Sequence, residues 1–219
     1  MTALAVVATT AEVLAHPAAD TALLAPWERQ RLARIRVPAR RDDWLAARML
    51  VRLCAARCTG RLAQDLTLAQ RCPDCGGHGH GRPYLPEHPA VGVSLSHADG
   101  LVAAAAGPGA VGIDVEPATR WPGPLSVMRR LLPEAELRAA AAARPDPGPA
   151  LLGLWVRTEA RLKAGQGECV RREWTDRRRS AVVAVAGTCS SWTVRGVDYL
   201  VALDFLPVLR DGDSPQPRG

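Results

Sequence analysis

With 219 residues, 47% of them hydrophobic, the chain is long enough to bury a core as one large domain or two small ones. No apolar run approaches the roughly 20 residues that span a bilayer, and no basic leader precedes the first apolar stretch, so we expect a cytoplasmic protein without membrane contacts. Six cysteines are too few and too unevenly placed for a disulfide scaffold, which favours a reduced compartment. The net charge of +6 indicates an anionic partner: nucleic acid, a phosphorylated ligand or an acidic protein.

Hydrophobic periodicity predicts a strand at the start of the chain, then two helices, then a series of strands. The first strand covers residues 4–14, and the helices cover residues 26–35 and 41–57. The strands that follow are separated by Gly and Pro and cover residues 66–70, 91–96, 101–107 and 111–115.

The second part of the chain repeats this order of helices and strands. A Pro-bounded segment predicts helices at residues 124–132 and 133–143, followed by a longer helix at residues 149–164. Three strands are predicted next, at residues 180–187, 191–197 and 199–205, and residues 207–219 are expected to be a disordered tail.

The predicted fold class is α+β, with two similar halves that each pack a small antiparallel sheet against helices. The expected N-terminal half covers residues 1–116 and the C-terminal half residues 117–206. A duplicated unit is consistent with this layout, but no sequence repeat demonstrates it.

The segment VGIDVEP, residues 111–117, places two acids inside an apolar strand. Because side chains alternate along a strand, Asp114 and Glu116 share one face with Gly112. Two neighbouring carboxylates repel each other unless a cation lies between them, and Gly112 leaves room for an approach to the backbone. The pattern is typical of a divalent metal site; the alternative is a half-exposed strand whose polar face is acidic.

The positive charge comes from 27 arginines and a single lysine, Lys163. A lysine that remains in such an arginine-rich chain either meets a need for a compact ammonium or stands there by chance. Lys163 follows Glu159 by four residues, so both lie on one helix face, and Trp155 one turn earlier indicates that this face is not simply solvated. The alternative is an ordinary Glu–Lys pair on an exposed helix.

The segments GRPYLP and VSLSHADG supply Arg82, Ser96 and His97 around two tight turns, a set of donors suited to an anion. A histidine at the end of an apolar strand is also compatible with a packed, hydrogen-bonded role.

A further cluster, CPDCGGHGH, contains Cys72, Cys75, His78 and His80 in metal-ligand spacing. Ordinary zinc modules separate their two ligand pairs by a dozen or more residues, so four ligands within nine would be cramped. A structural zinc is therefore possible but not favoured over a Gly-rich loop with reduced cysteines.

Four blocks, GRPYLP, VSLSHADG, VGIDVE and WVRTEARLKAGQG, occur in this order, and together they resemble the signature blocks of the 4′-phosphopantetheinyl transferases. The chain length is similar to that of the Sfp-type branch, in which two α+β halves are fused into a monomer. The resemblance covers about residues 4–205. It implies a holo-[acyl-carrier-protein] synthase type enzyme that moves phosphopantetheine from coenzyme A to a serine of an apo carrier protein and releases adenosine 3′,5′-bisphosphate.

The resemblance also implies roles for individual residues. Asp114, Glu116 and Glu159 would hold Mg²⁺ against the coenzyme A pyrophosphate. Glu159 would accept the serine proton, directly or through a metal-bound water, and Lys163 would neutralise charge on the departing phosphate.

Five further residues are implied in coenzyme A binding. They would contact the nucleotide 3′-phosphate or the pyrophosphate, and they are Arg82, Ser96, His97, Arg48 and Arg52. One position departs from the family pattern, because many relatives have Lys directly before the helix glutamate, where this chain has Thr158.

Two other readings stay open. One is a carrier-protein-binding or coenzyme A-binding module of the same fold with weak or no transfer, which the departure at Thr158 motivates. The other is a zinc-bearing nucleic-acid-binding protein, which leaves VGIDVE unexplained and has few aromatic side chains for base stacking, with one Phe and two Tyr. The resemblance favours neither nucleic-acid binding nor a particular carrier protein among those of fatty acid, polyketide and nonribosomal peptide synthesis.

Overall fold

A computed structural model of the chain describes residues 3–123, 125–165, 170–189 and 191–201. The strands in these ranges are β1 (Ala3–Thr9), β2 (Ala69–Arg71), β3 (Arg82–Tyr84), β4 (Val91–Ala98), β5 (Leu101–Pro108), β6 (Val111–Pro117), β7 (Val170–Asp176), β8 (Ala181–Gly187) and β9 (Trp192–Gly196). The helices are α1 (Thr10–Leu14), α2 (Pro26–Arg34), α3 (Pro38–Thr59), α4 (Leu125–Leu131), α5 (Glu134–Ala141), α6 (Gly148–Ala164) and α7 (Asp198–Val201).

The described strands form two sheets. The larger has six strands in the order β2-β3-β4-β5-β1-β9, and the smaller has three in the order β6-β8-β7. The smaller sheet is antiparallel throughout. The larger departs from the predicted antiparallel pattern at one place, because β9 pairs with β1 in parallel.

The two sheets pack face to face between two helices. In β1, the side chains of Leu4 and Val6 point into a core shared with α3, whereas those of Ala5 and Val7 point into a core shared with the smaller sheet. The other side of the smaller sheet packs against α6. The order of layers is therefore α3, six-stranded sheet, three-stranded sheet, α6, which supports an α+β fold.

Helix α3 has a clear sequence signal at each end. Pro38 occupies its first position, where a missing N–H costs nothing, and Gly60 ends it in the left-handed conformation with φ of 68°. Most of its buried residues are apolar and cover one face of the six-stranded sheet, and Asp43, Arg48 and Arg52 are buried among them.

Several predicted boundaries are corrected by the structure. The opening strand ends at Thr9 because its side chain caps α1, accepting the Glu12 N–H at 3.1 Å. The strand predicted at residues 66–70 is shorter and begins later, as β2 at Ala69–Arg71. The prediction of a strand at residues 199–205 is wrong for residues 199–201, which belong to α7; residues 202–205 and the predicted tail at 207–219 lie outside the described residues.

Strands of each predicted half contribute to the sheet of the other. β6 lies before the expected boundary between residues 116 and 117 except for Pro117, yet it belongs to the smaller sheet, and β9 lies after the boundary but completes the larger sheet. The predicted boundary between halves therefore does not separate the two sheets. The duplication stays a prediction. Within the described ranges, no helix has the length and apolar character that crossing a bilayer requires.

An ion-pair cluster connects α1 to the turn between β7 and β8. Arg179, only 6% exposed, donates to Glu12 through Nε at 2.7 Å and Nη2 at 2.8 Å, and to Asp176 through Nη1 at 2.9 Å. Burial alone would raise the pKa of Glu12, but the bonds from Arg179 and Thr9 outweigh it and lower that pKa to about 2.

The Glu12 contact makes a prediction for acid stability. A carboxylate whose folded pKa is lowered from 4.5 to about 2 contributes stability above pH 4.5 and loses it as the pH falls toward 2. Replacing Glu12 by Gln should therefore lower the free energy of unfolding by about 1 to 3 kcal/mol at pH 7, since the side chain is partly solvated. In urea titrations the difference from the wild type should shrink below pH 4.5, whereas Glu136→Gln on exposed α5 should show no such convergence. A difference independent of pH would contradict the assignment.

Candidate active site

The acidic strand β6 and helix α6 meet through Gly112. A Cβ atom at Gly112 would lie 2.0 Å from the Ala160 carbonyl oxygen and 2.4 Å from the Ala164 nitrogen, so only glycine permits this backbone contact. The open space expected beside Gly112 is thus filled by α6. The approach brings the last turns of α6 against the face of β6 that carries Asp114 and Glu116.

We expect Gly112→Ala to displace α6 from β6. Overpacking of this kind should lower the free energy of unfolding by about 1 to 3 kcal/mol in urea titrations. Gly153→Ala is a matched control on α6, since its Cβ would meet only the flexible ends of the Glu173 and Arg157 side chains and Ala is the better helix former. Equal stability of the two variants would contradict the tight contact at Gly112.

Asp114 is the centre of a hydrogen-bonded network that joins the two sheets and α6. Its side chain is buried at 5% exposure, and its Oδ1 accepts from Ser96 Oγ at 2.7 Å and from Lys163 Nζ at 2.6 Å. Lys163 Nζ also donates to Ser96 Oγ at 3.1 Å. The single lysine of the chain therefore contacts the first of the predicted metal-binding acids directly.

The second carboxylate oxygen of Asp114 has a different environment. Oδ2 is buried and accepts no hydrogen bond within the described ranges. Buried carboxylate oxygens are normally satisfied, so this atom is available to a ligand that brings a donor or a positive charge.

Two further acids lie near Asp114 and are destabilised as anions. Burial raises the pKa of Glu116 to about 7, with Arg120 opposing and Asp114 adding to the increase. Arg120 Nη1 contacts Glu116 Oε2 at 2.9 Å. Burial also raises the pKa of Glu159, and the charge of Asp114 raises it further while Lys163 lowers it.

The donor set fits Mg²⁺ by chemistry, since it combines three carboxylates with the unsatisfied Oδ2 of Asp114. The carboxylates of Asp114, Glu116 and Glu159 do not converge on one point. In the described part of the chain, the one group of three or more potential ligand atoms lying within 4.8 Å of one another contains cysteines and a histidine instead. Glu116 pairs with Arg120, and Asp114 with Lys163, so a shared ion requires these side chains to turn toward one another.

A cleft with a volume of about 510 Å³ lies beside this network, between the larger sheet and the end of α6. Its walls include Arg82 from β3, Ser94 and Leu95 from β4, and Leu162 and Lys163 from α6. Arg82 Nη2 donates to the Leu162 carbonyl oxygen at 3.1 Å, which fixes the guanidinium at the cleft wall.

Ser94 is a cleft residue that the sequence analysis missed. Its Oγ accepts the Ile113 N–H at 3.1 Å, so a side chain of β4 satisfies the edge of β6 that has no neighbouring strand in the smaller sheet. The signal was present, because Ser94 and Ser96 share one face of β4 by alternation.

His97 does not lie on the same face of β4 as Ser96. Ser96 is buried, whereas the His97 side chain remains exposed. Neighbouring protein atoms still remove enough water to lower the pKa of His97, with Asp43 opposing and Lys163 contributing. A neutral imidazole can donate one hydrogen bond to a phosphate, but it brings no charge.

Arg48 and Arg52 lie on α3, away from the cleft walls, at its buried contact with α2. Arg48 is 3% exposed, stacks 4.7 Å from the Trp44 ring centroid, and donates to Gln70 Oε1 at 2.9 Å. Arg52 is 1% exposed and contacts Glu28 on α2. Gln70 connects this cluster to the cleft wall, where it donates to the Gly81 carbonyl oxygen at 2.8 Å.

Neither Glu28 nor Gln70 was predicted as important. Glu28 is fully buried, and the sequence contained a signal for it, because Glu28 precedes Leu32 and Ile35 at helical spacing on the inward face of α2. A phosphate-binding role for Arg48 and Arg52 stays a prediction.

Thr158, which directly precedes Glu159, is buried at 6% exposure on α6. Arg157, its neighbour, points away from the Glu159 face as helical geometry predicts and contacts Glu173 on β7. Arg157 therefore pairs with an acid of the smaller sheet and not with the acids of the site.

The predicted cysteine and histidine cluster is partly assembled. The ligand atoms of Cys72, Cys75 and His80 lie within 4.8 Å of one another, whereas His78 lies outside this group and forms a backbone bridge with Arg71.

The chain matches no known protein-family model, and no curated protein is significantly similar to it.

Proposed function

We propose that the protein transfers the 4′-phosphopantetheine arm of coenzyme A to a serine hydroxyl of an apo carrier protein, releasing adenosine 3′,5′-bisphosphate. The observation that supports this most is the contact of Lys163 with buried Asp114 at 2.6 Å beside the cleft. It joins an acid and a cation, from segments 49 residues apart, at one position suited to a pyrophosphate and its metal ion.

The four sequence blocks support the proposal because they converge in space. GRPYLP contributes Arg82 to the cleft, VSLSHADG contributes Ser94, and the helix block contributes Lys163. VGIDVE supplies Asp114 directly behind them. A chance similarity of separate blocks would give no reason for them to meet around one cleft.

The transfer breaks one bond and forms another at a single phosphorus atom. The carrier serine oxygen attacks the phosphorus that bears pantetheine, and the bond from that phosphorus to the bridging oxygen breaks as adenosine 3′,5′-bisphosphate leaves. Glu159 is the candidate to take the serine proton, because burial and Asp114 raise its pKa toward the range of a general base. When bound by Asp114, Glu116 and Glu159, Mg²⁺ would supply charge neutralisation of the pyrophosphate.

Lys163 and Arg82 are placed to hold the anion. The ammonium has three N–H donors, of which two are directed at Asp114 and Ser96, so one remains for a phosphate oxygen. Arg82 uses Nη2 for the Leu162 carbonyl and keeps further guanidinium donors for the ligand. The net charge of +6 also suits carrier proteins, which present acidic helices around their serine.

The test is incubation of the protein with coenzyme A, Mg²⁺ and a small panel of apo carriers from fatty acid, polyketide and nonribosomal peptide synthesis. Intact-mass spectrometry should show one phosphopantetheine group added to at least one carrier. Excess EDTA should stop the addition, and Mg²⁺ in excess over EDTA should restore it. Coenzyme A binding by calorimetry without transfer to any carrier would favour the binding module instead. If the protein showed no coenzyme A binding and no transfer, the proposal would be overturned.

A further inference from the structure

The segment from Cys72 to Gly81 forms the tip of a hairpin between β2 and β3. Arg71 and Arg82 are paired across the hairpin, and the Cys72 N–H donates to the Gly77 carbonyl oxygen at 2.9 Å. The chain therefore turns back on itself within this segment. Because the tip is folded back, Cys72, Cys75 and His80 can approach one another although no long module separates them in the sequence.

The side chains at the tip converge on one point. Cys75 Sγ lies 3.6 Å from His80 Nε2, and all three ligand atoms of Cys72, Cys75 and His80 lie within 4.8 Å of one another. In a tetrahedral zinc site, bonds of about 2.3 Å to sulfur and 2.05 Å to nitrogen place those two atoms about 3.6 Å apart. The observed separation thus equals one edge of such a tetrahedron.

We propose that Cys72, Cys75 and His80 bind one Zn²⁺ ion, with water in the fourth position. Two thiolates and an imidazole form a soft donor set that favours zinc over Mg²⁺, so this site is chemically separate from the carboxylates around Asp114. It also does not depend on the proposed transfer reaction.

The backbone of the tip supports a pair of thiolate ligands. The Gly76 N–H donates to the Cys72 carbonyl oxygen at 3.0 Å, which closes a tight turn between the two cysteines. The Gly77 N–H points at Cys75 Sγ at 3.4 Å. Hydrogen bonds from peptide N–H groups stabilise a sulfur that carries negative charge, as a zinc-bound thiolate does.

Gly77 also leaves the space that the ligands need. A Cβ atom at Gly77 would lie 3.2 Å from Cys75 Sγ and 3.3 Å from His80 Nε2, closer than side chains normally approach. A larger side chain at Gly77 would therefore press into the two ligand atoms.

The ion would hold together parts of the fold that converge on the cleft. The tip contacts α2, since Arg31 Nη1 reaches the Gly79 carbonyl oxygen at 3.5 Å. Directly next to the tip are Gln70, which binds Arg48, and Arg82, which lines the cleft. A metal at the tip would fix the hairpin that carries both residues, and so would act as a structural clamp.

The experiment is metal analysis of the full chain purified without chelators. Inductively coupled plasma mass spectrometry should find about one zinc per chain. Cys75→Ser and His80→Ala should each reduce this content at least tenfold, whereas His78→Ala, a matched histidine outside the group, should retain it. Cobalt titration of metal-free wild type should give the intense visible bands of a tetrahedral thiolate site, a readout that does not require any variant to fold.

Three metal-binding results would overturn the site, and one thiol measurement would do so as well. They are wild-type zinc well below one equivalent after zinc addition, equal zinc content in wild type and Cys75→Ser, and cobalt bands typical of an octahedral oxygen site. A Cys72–Cys75 disulfide in protein purified under reducing conditions, detected by peptide mass mapping, would also overturn it.

Discussion

Asp114→Asn should lower the rate of the proposed phosphopantetheine transfer by at least about 100-fold, because the variant loses the negative charge at the centre of the site. The replacement keeps the volume and can still accept from Ser96, so the protein should remain folded. The measurement is carrier modification by intact-mass spectrometry at saturating Mg²⁺, together with thermal denaturation.

Asp65→Asn provides the matched control for Asp114→Asn. Asp65 is exposed in a short 3₁₀ turn, so the same chemical change should leave transfer and melting temperature unchanged. If the transfer rate of Asp114→Asn stayed within threefold of the wild-type rate, Asp114 would not belong to the site. A parallel loss of activity and stability would assign it a structural role.

Glu28→Gln should lower the free energy of unfolding by about 3 to 5 kcal/mol, a larger effect than we expect for Glu12→Gln or Gly112→Ala. Glu28 is fully buried and faces two buried guanidiniums, from Arg48 at 3.8 Å and from Arg52. Burial already lowers the pKa of Arg48 to about 10, with Glu28 opposing this shift. Without the carboxylate, both cations remain buried and uncompensated.

Glu134→Gln is the corresponding change in an exposed ion pair. Glu134 is 81% exposed and lies 3.9 Å from Arg138, so its replacement should change the free energy of unfolding by less than about 0.5 kcal/mol. Chemical denaturation of both variants tests the comparison. If Glu28→Gln were as stable as Glu134→Gln, the buried cluster would contribute no net stability.

Local pattern was sufficient wherever a strand or helix buries one regular face. The alternation in VGIDVEP predicted that Val111, Ile113 and Val115 turn toward one core, and the structure places them between the sheets. The helix at residues 149–164 was predicted almost to its bounds because apolar residues recur at helical spacing in α6.

The missed elements have weak local patterns. β3 is a three-residue strand that contains Pro83, and β7 is an edge strand of the smaller sheet with charged residues at Arg172 and Glu173. Neither shows the apolar alternation that marks a buried strand. The error at residues 199–201 arose because a short apolar run is compatible with a strand or a helix, and only packing against the larger sheet decides between them.

The sequence patterns predicted that the acids, the lysine and the anion-binding turns belong to one site. They did not predict which of these side chains bond to one another. The bond from Lys163 to Asp114 depends on how closely α6 approaches β6, which is fixed by Gly112. The network from Ser96 to Asp114 depends on β4 lying next to β6 across the two sheets. Such contacts between distant segments are not encoded in the spacing of either segment alone.

The parallel pairing of β9 with β1 has a consequence for the order in which the protein folds. β1 is complete at residue 9, yet its partner on one side spans Trp192–Gly196, so that edge stays unpaired until almost the whole described chain has been synthesised. An emerging chain must hold this apolar strand with one open edge while the ribosome adds the rest. We therefore expect slow, late closure of the larger sheet and a need for chaperone protection during translation.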